Sequence, residues 1–144
     1  MKASLPLTFL LLPLMSDAMG SPGSECAAPG HYAESMLQGS IKNDLGLDLS
    51  AIPPDKIIVE VLSIAPVSAV FALQMAKTDS ATKGGLSEKE YFGIYQENNV
   101  MNLTVRYTYI SANDKQNIFI TSALLNNEEC SVRYNGWMTV TREF

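Results

Sequence analysis

The stretch "SECAAPGHYAESMLQGSIKNDLG" carries Cys26 and, five residues on, His31. A thiolate beside an imidazole is a nucleophile with its base, the first chemistry this chain suggests. His31 is the only histidine and Cys130 the only other cysteine, so a serine triad would need the same imidazole. A cysteine held in a disulfide is no nucleophile, and His31 then reads as an ordinary helix-start residue. Zinc wants three or four ligands of suitable type, and one histidine with two cysteines is not a usual set. "TKGGLS" (82–87) lacks the Lys-Ser/Thr ending of a phosphate loop and joins no clear strand to a helix. Paired carboxylates could serve as general acid and base. Glu128–Glu129, however, fall in the turn "NNEE", and Glu88 and Glu90 at a helix start, where solvation and capping explain them. No catalytic residue, metal ligand or cofactor is assigned, and an enzyme would need a carboxylate site the sequence does not display.

What remains is recognition. Tyr91, Phe92, Tyr95, Tyr107, Tyr109, Phe119, Tyr134 and Trp137 concentrate in the second half of the chain. Most are expected in the core; tyrosine and tryptophan on the opposite face would anchor a protein partner. Glu128, Glu129, Tyr134 and Trp137 are the candidate contacts, with Trp137 beside the turn-forming Asn135–Gly136. Asn102-Leu103-Thr104 has the form of a glycosylation sequon, meaningful only in a eukaryotic secretory route.

The elements that must position these residues begin after residue 20. Residues 1–20, "MKASLPLTFLLLPLMSDAMG", have the form of a secretory signal peptide: Lys2, an uncharged apolar run from Leu5 to Met15, then small residues at cleavage spacing. Such a run is too short to span a hydrocarbon core of ~30 Å. Glu60 and Pro66 interrupt the only later apolar stretch, so no span is expected in the mature chain. "GSPGSE" ahead of Cys26 is not the pattern that precedes a lipid-modified cysteine. Residues 21–144 have the length of one domain, and the expected location is periplasmic or secreted.

In an oxidising compartment two cysteines most often pair, the alternative being two separate buried thiols. A Cys26–Cys130 bridge would pin the mature N-terminus to the last strands. A net charge of −5 with no basic stripe argues against nucleic acid and anionic membranes as partners.

A helix is expected from about His31 to Leu45, with Tyr32, Met36, Ile41 and Leu45 on one face, Leu37 and Ala33 beside them, and Glu34 on the polar side. Gly46 is its plausible C-cap. After Pro53–Pro54, the β-branched run from Lys56 to Ala65 reads as a strand. "VSAVFALQMAK" (67–77) fits either a paired strand or a short buried helix, and periodicity does not decide. "TDSATKGG" (78–85) reads as a loop. "SEKE" (87–90) fits a capping box opening a short helix with Tyr91, Ile94 and Tyr95 on its apolar face. "VMNLTVRYTYIS" alternates with period two, "NIFITSALL" returns beside it, and "CSVRYNGWMTVTRE" ends the sheet, with two short strands about Asn135–Gly136 a possibility. The expected class is α+β, a helix laid on an antiparallel sheet.

This order of features resembles the small exported YebF family and the related colicin M immunity protein. The resemblance rests on Cys26 ahead of "AESMLQGSIKNDLG", the strand "KIIVEVLSIAPV", and the segments "MNLTVRYTY" and "CSVRY", and covers most of residues 25–135. Residues 74–90 are longer than the family pattern, and "GWMTVTREF" extends past it. The resemblance implies a cystatin-like fold, a helix packed on a curved antiparallel sheet, with Cys26 bonded to Cys130. It also implies a non-enzymatic protein-binding module, either an exported effector of uncertain target or a periplasmic inhibitor that neutralises a cell-wall-attacking toxin. The expected function is that of an immunity or inhibitor protein acting by occlusion of another protein. A structural or assembly component of a secretion or conjugation apparatus is the alternative.

Overall fold

The computed structural model describes residues 21–144; the expected signal peptide lies outside them. Four strands, β1 (Ile57–Pro66), β2 (Met101–Ile110), β3 (Gln116–Leu125) and β4 (Arg133–Arg142), form one antiparallel sheet in sequence order. The period-two alternation of β2 decides what each face carries. Leu103, Val105, Tyr107 and Tyr109 are buried on one face and stand opposite Ala123, Thr121, Phe119 and Asn117 of β3. Helix α1 (Tyr32–Leu45) and the 3-10 turn Ser24–Ala27 cover that face, α1 against β3 and β4 and the turn against β1 and β2.

Helix α1 begins at its N-cap His31 and ends at Gly46, whose φ of 67° is the left-handed cap conformation. Its buried residues are Ala33, Glu34, Leu37 and Ile41, so the apolar face is turned relative to the expected one: Met36 is exposed and Glu34 is inside. Two tyrosines of β2 account for this. The Tyr109 hydroxyl donates to Glu34 Oε1 at 2.9 Å, and Gly30 N–H and the Gln38 carboxamide donate to the same carboxylate. The Tyr107 hydroxyl donates to the Ala27 carbonyl at 2.6 Å. Burying a carboxylate is tolerable when its lone pairs are filled in this way. Burial first, and the nearby Glu34 charge second, push both tyrosine hydroxyls well above their ordinary pKa, so they remain donors.

The ambiguous segment after Pro66 is a helix, α2 (Ala69–Thr82), capped by Ser68, whose hydroxyl accepts from Phe71 N–H at 3.2 Å. It runs five residues, 78–82, into the stretch expected to be a loop. The capping box forms as expected, with Ser87 and Glu90 bonded reciprocally at the start of α3 (Glu88–Ile94). Thus the connection between the neighbouring strands β1 and β2 is a helical hairpin. It packs on the opposite face from α1 through a second cluster of Ala72, Met75, Ala76, Tyr95, Val100 and Leu124. The fold is the expected α+β class, helices on an antiparallel sheet, with helices on both faces.

Candidate functional site

Cys26 and Cys130 form a disulfide with Cα atoms 5.5 Å apart. It joins the 3-10 turn to the segment between β3 and β4, and a disulfide is compatible with an oxidising, exported location.

The four residues expected to contact a partner do not share one surface. Glu128 and Glu129 are exposed in the turn after β3, where their backbone N–H groups both donate to Asn126 Oδ1 at 2.9 Å. Tyr134 and Trp137 are half-buried on the α1 face of β4. The Trp137 ring meets Phe119 edge-on with centroids 5.7 Å apart, continuing a row from Tyr107 through Tyr109. The Tyr134 hydroxyl bonds Thr121 Oγ1 at 3.1 Å.

β4 is one strand and not two short ones. Asn135 is an extra residue: Tyr134 pairs with Ala123 and Gly136 with Ser122, so the register shifts between them. Gly136 adopts φ 124°, which a side chain disfavours, and the glycine makes the bulge possible. The bulge turns the Asn135 side chain across the sheet, where its Nδ2 donates to Asn102 Oδ1 at 3.1 Å and to Ser122 Oγ at 3.0 Å. The sequon asparagine is therefore tied into the sheet.

This polar row continues into a buried ion pair that the sequence reading missed. Arg133 Nη1 donates to Asn135 Oδ1 at 2.6 Å, while its Nε and Nη2 each donate to the Asp79 carboxylate of α2 at 2.8 Å. Lys83 Nζ and the Tyr95 hydroxyl donate to the same carboxylate. Asp79 is 1 % exposed. The Arg133 hydrogen bonds, helped by those of Lys83 and Tyr95, outweigh desolvation and hold its carboxyl well below the usual range. Burial and the Asp79 partner push the Tyr95 hydroxyl up. These charge-assisted bonds dock the helical hairpin on β4. No sequence signal connects positions 79 and 133; only the fold brings them together.

Beyond the helical hairpin, the same face of the sheet is uncovered. Met138, Ile58 and Val140 are 58 %, 54 % and 48 % exposed. Across the register, Met138 stands opposite Ile120 and Ile58 opposite Thr108. Isolated exposed apolar residues are ordinary, and Ile58 stands apart on β1, the opposite edge strand. Met138 and Val140, however, lie together on the bulged edge strand β4, where an apolar pair marks an interaction surface. Among the described residues, no helix is long and apolar enough to cross a membrane. Comparison with known protein families, with curated proteins and with solved structures finds no match to this chain.

Proposed function

We propose that the protein is an exported, non-enzymatic binding module, periplasmic or secreted, that acts by occluding another protein. Its most concrete form is an immunity or inhibitor protein directed at a toxin or cell-wall-active protein. The observation that carries this reading is the exposed apolar pair Met138 and Val140 on the bulged free edge strand β4. A face held in place by a disulfide and by the Asp79–Arg133 pair costs little ordering on association. The net charge of −5 favours encounter with a basic partner.

The test is to express the full chain with a C-terminal tag in a bacterial host, crosslink it, and identify the bound protein from periplasm and medium. Met138→Asp with Val140→Asp should remove that partner while leaving thermal stability nearly unchanged, because both side chains are exposed. Glu128→Ala with Glu129→Ala probes the acidic turn separately. A partner that survives both pairs of substitutions would sink the occlusion surface. Loss only on inserting proline along the β4 edge would favour an assembly component that adds a strand.

A further inference from the structure

A second concave feature lies at the other end of the strands and on the other face of the sheet. It is a cavity of about 480 Å³, within the range of ordinary ligand pockets. Ile64 of β1, Met101 of β2 and Leu125 of β3 supply apolar lining from three adjacent strands. The lead-in Ser21–Gly23 forms one wall, and Asn99, Asn126 and Asn127 bring carboxamides to it. Glu25 also lines the cavity, and among the described residues no lysine, arginine or histidine lines it.

The walls are fixed in position. Cys26 lies three residues after the lead-in wall and Cys130 three residues after Asn127, so the disulfide ties the two together. Asn98 and Asn99 both hold left-handed conformations, φ 55° and 57°, and Asn127 N–H donates to the Asn98 carbonyl at 3.0 Å. Neighbouring non-glycine residues in that region are costly unless the surroundings enforce them. Asn126 Oδ1 already accepts from Glu128 and Glu129 N–H, and Asn127 Oδ1 from Asn99 Nδ2, so the Asn126 and Asn127 amide groups remain as donors for a peptide carbonyl. The exposed Glu25 carboxylate on the lining sets the sign of charge that is welcome there.

We propose that this cavity binds an extended peptide segment of another protein, one that places a bulky apolar side chain on the Ile64–Met101–Leu125 floor and an adjacent lysine or arginine toward Glu25. This site is separate from the apolar face around Met138 and does not depend on it.

The probe is a phage-displayed library of random heptapeptides, selected on the full chain as recovered from the host with its disulfide intact. Selected peptides should share an apolar residue next to a basic one and should shift the NMR signals of Ile64, Met101 and Leu125. Glu25→Lys, a surface change, should weaken binding at least tenfold. Raising salt from 50 to 500 mM should also weaken it. Ile64→Trp, which fills the cavity, should abolish binding; if that variant misfolds, the charge-reversal variant still decides. No enrichment, an acidic or charge-free consensus, or signal shifts confined to β4 would overturn the proposal. So would binding seen only after the residues preceding Ser21 are removed with no charge dependence, since the chain's own leader would then be the occupant.

Discussion

Replacing Asp79 with alanine should be among the most damaging single changes outside the main core. Its carboxylate receives two hydrogen bonds from Arg133, one from Lys83 and one from Tyr95. The Arg133 side chain is only 12 % exposed, so removing its counterion leaves a guanidinium largely cut off from water. Breaking such a pair from one side costs roughly 3–5 kcal/mol. The guanidinium can still reach Asn135 and can turn partly outward, which places the expected loss near the low end, about 3 kcal/mol. Arg133→Met combined with Asp79→Leu removes both charges and should recover much of it. Urea unfolding followed by Trp137 fluorescence measures the global change, and amide exchange over α2 and α3 shows whether the hairpin loosens first. The pH dependence has a defined sign. The folded pKa of Asp79 is depressed, so its contribution is complete above the unfolded carboxylate value of about 4 and is lost as pH falls from there through the lower folded value. The difference between wild type and Asp79→Asn should therefore shrink below pH 4. A loss under about 0.5 kcal/mol at pH 7 for Asp79→Ala would refute the view that this pair docks the hairpin.

Two further outcomes concern the other face. Glu34→Ala should cost about 2–3 kcal/mol by urea titration, because Tyr109 and Gly30 lose their buried acceptor, and Glu34→Gln should cost less since its carbonyl still accepts one bond. Cys26→Ser with Cys130→Ser opens a loop spanning 104 residues, which the chain-entropy relation values at about 4–5 kcal/mol. The midpoint of guanidinium unfolding for that variant should match wild type under reductant.

The elements that announce themselves in sequence do so through local chemistry. Ser87 and Glu90 specify the start of α3, Gly46 the end of α1, and strict alternation from Met101 to Tyr109 the inner face of β2. Helix α2 was undecided because Ala72, Met75 and Ala76 are apolar, while exposed Val70 and Leu73 blur the helical period. Glu34 was misplaced because a carboxylate is ordinarily solvated; its burial depends on Tyr109, 75 residues away. The Asn135–Gly136 pair reads as a turn locally, but β3 lies alongside throughout and converts it to a bulge. Asp79 and Arg133 are 54 residues apart and meet only through tertiary structure. Of the candidate surfaces, the acidic turn was legible, whereas exposed Met138 and Val140 could not be told from core residues by type.

The spacing of the two cysteines also imposes an order of events. In a chain made amino-terminus first, Cys26 precedes its partner by 104 residues, and of the four strands only β4 follows Cys130. Throughout that interval Cys26 has no thiol of its own chain to meet, so intramolecular mispairing is impossible. The hazard is a mixed disulfide with a different molecule. Because β4 directly follows Cys130, closure of the covalent ring nearly coincides with completion of the sheet. Oxidation thus works as a finishing step for the sheet, a latch set once three of its four strands have been made.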